Sequence, residues 1–542
     1  MIKRLFCLLM AATLCFCFCS CGGIKGADAQ VVFPIDSDPK YLDPQIISNV
    51  GAKNIILNCF EGLVTLDAEG KIAPGCATDW SVSSDGLTYT FNLDKNSVWR
   101  VSVAAGLLMK EECEEAYKIP VTADDFVFAF RRALLPRTKS PSAKNLLSIT
   151  NATKVNAGKL HPAHLGVTAT GTHSLTITLE KPDPDFLHTL LEPACMPCNE
   201  EFFEATGGRY GLSTKYLIYN GPFYMNNWTD DTSITIRRNT FYKDSESVLP
   251  FSVYFSIFNE QSTRLKKLKN STYSVAPLTA GQASEIADKK KYTVNSFESA
   301  VLSFMFNCED EYLNNDYVRQ AIAASLDKNI IKSELGEFTA KGVLPGSLII
   351  GDSKYRDESR EVKFYENGAP QKLLETGLAQ IEKSDAEITV LCSTQHEVLI
   401  RKVMQSWQAS LGVKFNVFVE AVDDAVLQSR IEDGEYQLAF APITYSSDTA
   451  FSGVLRYTSE SSDNIVNLKS NPYDEIVKRI KDAAGTTAST VATRQAENFL
   501  VSSCVIIPLY EQSVYYGMGE GVKGVIFNNT GEILYFKNTV VK

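Results

Sequence analysis

The chain has 542 residues, with 44% hydrophobic and 22% charged residues, an ordinary globular balance that excludes a disordered or low-complexity chain. At roughly 150 residues per domain, that length suggests three or four domain-sized units or one large discontinuous fold. The 53 Lys+Arg against 64 Asp+Glu give a net charge of −11, which excludes the basic footprint of a nucleic-acid binder.

The N-terminus reads as a leader. Lys3 and Arg4 precede an apolar run from Leu5 to Phe18, too short to span a bilayer comfortably, since spanning takes ~20 apolar residues. The stretch Phe18-Cys19-Ser20-Cys21-Gly22-Gly23 resembles a bacterial lipobox, with Cys21 between small residues as the acylation site; an ordinary cleaved signal and an uncleaved anchor are the rival readings. The expectation is a signal peptide over 1–20 and a flexible tether over 21–30, rich in Gly and Ala. Eight cysteines follow Cys21, and Cys195-Met196-Pro197-Cys198 is the one CxxC. Dispersed core thiols, a local disulfide and a metal or redox pair all remain open from sequence.

Beyond the leader, strands and helices interleave. Leu87 to Leu93 alternates apolar and polar residues after the turn Ser84-Asp85-Gly86, predicting a hairpin strand. His173 to Leu179 and Ser233 to Arg237 repeat that pattern. Thr122 is the predicted cap of a helix whose Phe126, Phe130 and Leu134 recur at fourfold spacing. Asp316 is the predicted cap of a second helix, through Val318, Ile322 and Leu326. A third carries Leu399, Val403 and Trp407, and a fourth is placed over Tyr473 to Ala484. The mixture predicts an α/β or α+β architecture. No Gly-rich phosphate loop, GxSxG elbow or HExxH motif occurs, and Asp423-Asp424 reads as a solvated face before it reads as acid–base machinery.

Several segments, in colinear order from about residue 31 to the C-terminus, resemble the extracellular solute-binding proteins of family 5, the peptide-binding subunits of ABC importers. They include Leu42-Asp43-Pro44, Phe60-Glu61-Gly62-Leu63, Pro74-Gly75-Cys76-Ala77 with Trp80, and Ser84 to Phe91 with Val98-Trp99. Val121 to Phe128, Asn220-Gly221-Pro222-Phe223 with Trp228, and Val318 to Ile322 with Leu326-Asp327-Lys328 continue the series. The oligopeptide-binding branch is the most similar, on Ser140 to Ala143 and Gly207 to Gly211. Leu42-Asp43-Pro44 reads as a strand end turned by proline, and Trp80, Trp99 and Phe126 read as core anchors. One departure is plain: Arg100 to Ile119, with Glu111, Glu112, Glu114 and Glu115, intervenes where the family is short, and reads as a surface loop or small helix.

The resemblance implies a periplasmic-binding-protein-like α/β fold of the cluster C class: two lobes joined by a hinge, with an additional third domain. The implied boundaries are 31–60, 200–292 and 506–542 for the first lobe, 61–199 for the extra domain, and 293–505 for the other lobe. It implies a non-enzymatic lipoprotein of the cell envelope, periplasmic and membrane-anchored through its lipid, monomeric and without cofactor or metal. Such a protein captures oligopeptides and delivers them to the permease of an ABC transporter; a receptor of the same fold for a dipeptide, a cell-wall peptide or a metal chelate is the alternative. Main-chain contacts to ligand are implied at Ser48-Asn49-Val50 and at Pro442-Ile443-Thr444. An aspartate that holds the peptide ammonium in the oligopeptide branch falls on Ser446, which cannot supply the charge. Asp448 takes that role, or the ligand lacks a free amine, or recognition differs. Arg430 and His396 match family residues that meet the peptide carboxylate, with an interior ion pair and a surface histidine as the plainer readings. A second family arginine falls on Phe440, and a family lysine after Asn307 is replaced by Glu309-Asp310-Glu311.

Overall fold

The computed structural model describes residues 29–351, 353–358, 362, 365, 368–445, 447–481 and 486–542. The expected signal peptide, most of the tether, Cys21 and Ser446 lie outside the described residues.

Three sheets organise the molecule, two lobes joined by a hinge with a third domain on one of them. The first has four strands in the spatial order Gln30–Ile35, Ser252–Ile257, Ser233–Arg238, Phe223–Thr229. Its first pair is parallel and the others antiparallel. The extra domain holds an antiparallel sheet in the order Ala77–Val82, Thr88–Leu93, Ser174–Thr178, Val167–Gly171. Alternating burial along Thr88–Leu93 is what the apolar/polar alternation demands of a sheet with one wet face. Gly86, at φ 72°, supplies the left-handed residue of the turn between the first two of these strands. Ala123–Leu134 packs its apolar stripe here; Thr122 and Asp125 close a capping box, and the buried Asp125 also accepts from Trp99 Nε1 at 3.1 Å.

The third sheet has six strands: Val275–Leu278, Ile506–Met518, Thr293–Phe306, Leu438–Thr444, Ala386–Ser393, Phe415–Val422. The last three are mutually parallel, joined by crossovers such as helix Glu397–Leu411. Ala386–Ser393 is buried on both faces, as parallel strands covered by helices are.

Two strands of this sheet cross between the lobes. Along Thr293–Phe306 the first half is only partly buried and the second half fully so. Phe297 packs against the core shared by the first lobe and the extra domain, whereas Leu302, Phe304 and Phe306 belong to a core of the other lobe. Ile506–Met518 changes core in the same way between Tyr510 and Tyr516. A β-bulge between Glu298 and Ala300 lies at the changeover and interrupts the ladder there. These crossing strands are the hinge of the fold.

Several local expectations are corrected. Leu42-Asp43-Pro44 is not a strand end: the first strand stops at Ile35 and the three residues are buried coil. Asp43 instead ties that coil to the extra domain, accepting from Arg132 Nη1 at 2.8 Å and pairing with Nη2; Arg132 also reaches Gln45 Oε1 at 2.6 Å and stacks 4.2 Å over Phe203. The second predicted helix is capped by Asn315, whose side chain accepts from Tyr317 N and Val318 N, and Asp316 is its first residue. The fourth begins at Asn471, because Pro472 fits the first helical turn, where no N–H is needed. The Arg100–Ile119 stretch is a hairpin of Val98–Val101 and Tyr117–Pro120 carrying a short helical tip, Val103–Gly106. Trp99 and Phe126 are fully buried, and Trp80 partly so. All eight cysteines described are free thiols, and burial pushes Cys198 up to about 12, which makes it inert.

Candidate functional site

A cleft of about 810 Å³ separates the lobes, a size that suits a small ligand. All parts of the molecule wall it. Helix Val50–Cys59 contributes Lys53 and Leu57; the extra domain contributes Lys144, Leu147 and Ser148, and His188, Leu191 and Glu192. The other lobe contributes Thr444, Tyr445, Asp448, Phe451, Ser452 and Arg456, and the C-terminal segment returns with Asn528, Glu532 and Tyr535. Eight acidic side chains line it against four lysines and arginines, so the space favours a cationic group.

Asp448 is the best-placed charge. It follows strand Leu438–Thr444 and is half-buried. Its carboxylate accepts from Asn528 Nδ2 at 3.1 Å and from the Asn529 backbone N–H at 3.2 Å, both from across the cleft. Burial pushes Asp448 up to about 6, the Asn529 N–H opposes that, and the Glu192 and Glu532 charges push the same way as burial. Glu532 is itself raised by burial and drawn back by Lys53. The Thr530 side chain also bonds the Asp448 carboxylate, and of the roughly four lone-pair sites of a carboxylate about one then remains to meet an ammonium.

The other sequence-predicted residues are scattered. Ser48, Asn49 and Val50 are exposed at the start of helix Val50–Cys59, where Asn49 caps by accepting from Ala52 N at 2.7 Å. The wall takes Lys53 and Leu57 from the following turns instead. Ile443 is buried in the six-stranded sheet opposite Val301, while Thr444 is exposed in the cleft wall and its carbonyl accepts from Arg456 Nη1 at 2.7 Å. Arg430 is engaged by Glu420 at 2.6 Å and donates to the Glu435 carbonyl at 2.9 and 3.1 Å. Its helix, Asp424–Glu432, presents Gln428 and Glu432 to the cleft. His396 is half-buried, 2.9 Å from Ser393 Oγ and edge-on to Phe440; burial lowers its pKa. Thr444 and Asp448 thus share the cleft, and the other described candidates stand outside its wall.

The sequence reading missed Asp185, Glu192, Glu532 and Asn528. Asp185 is 6% exposed and accepts from the Thr449 hydroxyl, and from Ser452 N and Oγ at 3.2 Å each. Burial and the neighbouring Asp183 charge push it up to about 7, against those hydrogen bonds. Lys144 and Asp463 form a second cross-cleft contact at 2.8 Å. The only sequence signals were turn signals, Pro182-Asp183-Pro184-Asp185 and Asn528-Asn529-Thr530-Gly531. Among the described residues, no group of three or more His, Cys, Asp or Glu could hold a metal ion, and no helix is long and apolar enough to cross a membrane.

Residues 71–464 match the model for bacterial extracellular solute-binding proteins, family 5 Middle. Among curated proteins, the chain is 26% identical to the dipeptide-binding protein DppE of Bacillus subtilis, over 92% of this chain and 89% of the relative. It is 26% identical to the periplasmic oligopeptide-binding protein OppA of Salmonella typhimurium, over 96% and 94%. Among solved structures it resembles Haemophilus influenzae OppA in complex with the peptide RPPGFSPFR, with a TM-score of 0.73 at 22% identity, over 95% of this chain and 99% of that one. It also resembles the substrate-binding domain of an oligopeptide ABC transporter from Bacillus anthracis, with a TM-score of 0.73 at 23% identity, over 96% and 99%.

Proposed function

The chain belongs to the bacterial extracellular solute-binding proteins of family 5, and from that premise we propose that it captures oligopeptides between its lobes and hands them to the permease of an ABC importer. The observation that carries this reading is the cleft itself: about 810 Å³ of space lined by both polar and apolar groups, walled by both lobes and the extra domain, with two strands crossing between the lobes. A solute touching both walls favours the closed state by the contacts it makes only there. Main-chain groups at Thr444 and the carboxylate of Asp448 stand in one wall, so a peptide meets an acceptor for its ammonium beside a strand end. Relatives named for dipeptide and oligopeptide binding support the solute class.

The finer assignments belong to the same proposal. Residues 31–60, 200–292 and 506–542 form one lobe, 61–199 the extra domain and 293–505 the other lobe; the change of core along the crossing strands supports two lobes, although it falls after Phe297 and after Tyr510 rather than at 293 and 506. Cys21 carries the lipid after removal of residues 1–20, and 21–30 tether a monomeric, non-enzymatic body to the membrane in the cell envelope. Losing Lys3 and Arg4 makes that body two charges more acidic, so the lipid and not surface charge does the anchoring. Isothermal titration with di- to hexa-alanine and with free alanine tests the solute class. Saturable heat from the peptides and none from alanine is expected; heat from no peptide length would refute the reading.

A further inference from the structure

We propose that Asp185 is the latch of the cleft, a positioning residue on the extra domain that holds the lobes together by gripping Thr449 and Ser452 of the facing lobe. This rests on the cleft reading above and says which residue keeps the cleft shut.

The two sides belong to different cores. Asp185 immediately precedes Phe186, which with Leu190 is part of the core shared by the first lobe and the extra domain. Thr449 and Ser452 belong to the start of helix Ala450–Leu455, whose Ala450, Phe451 and Val454 pack into the other lobe. Three donors converge on one oxygen, Asp185 Oδ2: the Thr449 hydroxyl, Ser452 N and Ser452 Oγ. All three come from across the cleft, so separating the lobes breaks the whole set at once. The exposed Lys144–Asp463 pair spans the same gap, but a solvated ion pair adds little.

Opening strands neither side. The Thr449 hydroxyl already accepts from Ser452 N at 3.4 Å and can go on capping its own helix, while Asp185 regains water. The latch therefore suits a device that must open and shut. Its receptor is also next to the ligand wall: Asp448 faces the cleft, and its carbonyl accepts from Ile349 N at 2.8 Å. A solute that fixes Asp448 fixes Thr449 in the same stroke.

The carboxyl belongs to a setting that couples closure to protons. Asp183 and Tyr89 of the extra domain are the titratable groups beside it, and Thr449 and Ser452 bring no charge from the other side. Desolvation in the shut state raises Asp185, whereas in the open state water surrounds it. Shutting therefore takes up a proton between the ordinary carboxylate range and about 7, so closure weakens as pH rises across that span and levels off above it.

The test compares wild type, Asp185→Ala and Asp185→Asn as full chains. Small-angle scattering is recorded as purified and with added tetra-alanine, between pH 6 and 8. The alanine variant is expected to have the larger radius of gyration under both conditions. The asparagine variant keeps an acceptor without the charge, so it is expected to stay shut and to lose the expansion that wild type shows toward pH 8. Release of tetra-alanine carrying a fluorophore on its C-terminal carboxyl, which leaves the amine free, is expected to be roughly tenfold or more faster from the alanine variant and near wild type from the asparagine variant. Superimposable scattering of wild type and Asp185→Ala under every condition would overturn the latch. Wild type that ignores tetra-alanine would count against the peptide reading instead, and the as-purified scattering would still decide the latch.

Discussion

Replacing Asp448 by asparagine separates ligand capture from lobe contact. The wild-type carboxylate accepts from Asn528 Nδ2 and Asn529 N at 3.1 and 3.2 Å, is also bonded by the Thr530 side chain, and keeps a lone pair for one further donor. An asparagine in its place has one acceptor oxygen, which Asn529 N can retain, and an NH₂ that faces any incoming ammonium. A buried ammonium with no partner loses about 3–5 kcal/mol. The cleft admits water, which reduces the loss below that scale, and a loss of at least about 1.4 kcal/mol, tenfold in Kd, is expected for free-amine peptides. Calorimetric titration of tetra-alanine and N-acetyl-tetra-alanine against both proteins reads the difference. The acetylated peptide never had an ammonium, so its affinity is expected to change far less. Because burial pushes Asp448 up to about 6, a proton displaces the ammonium below that pH. Wild-type affinity for the free amine is thus expected to fall as pH drops through about 6, and the variant's to stay flat. Equal losses for the two peptides would refute the reasoning and leave Asp448 as a tie between lobes alone.

Three further outcomes follow from particular contacts. Arg132→Met leaves Asp43 buried without its cation, and chemical denaturation is expected to show about 3–5 kcal/mol lost; a loss below 1 kcal/mol would contradict the structural role given to the Leu42-Asp43-Pro44 coil. Glu511, on a crossing strand, is raised to about 7 by burial and by Glu298. It is ordinary when unfolded, so its penalty on the fold grows from about pH 4.5 to 7, and Glu511→Gln is expected to raise Tm at pH 8 but not at pH 4; equal shifts at both would exclude ionisation as the cause. Cys21→Ser in the full-length chain is expected to move the protein from the detergent phase to the aqueous phase on phase partition, since each buried acyl methylene is worth ~0.8 kcal/mol; unchanged partition would exclude Cys21 as the anchor.

What sequence could show and what it could not divide along physical lines. Strand Thr88–Leu93 and helix Ala123–Leu134 were legible because alternation, cap and spacing are local. The misplaced cap at Asp316 reflects two adjacent capping residues, and Asn315 wins because its side chain accepts from both Tyr317 N and Val318 N. The work of Asp43 was hidden because its partner Arg132 lies 89 positions away. The same distance problem hid most of the site. Asp448 was reached through family resemblance, but Asp185 meets Thr449 across 264 positions, and Asn528 meets Asp448 across 80. Arg430 and His396 matched family positions, yet Glu420 and Phe440 beside them set what they contact.

The claim beneath these arguments is that the cleft holds short peptides by features every peptide shares. Native mass spectrometry of the freshly purified protein, with release and fragmentation of whatever accompanies it, tests this most directly. The account expects several bound peptides of differing sequence, exchanging with added tetra-alanine. A single non-peptide solute that added peptides fail to displace would contradict it.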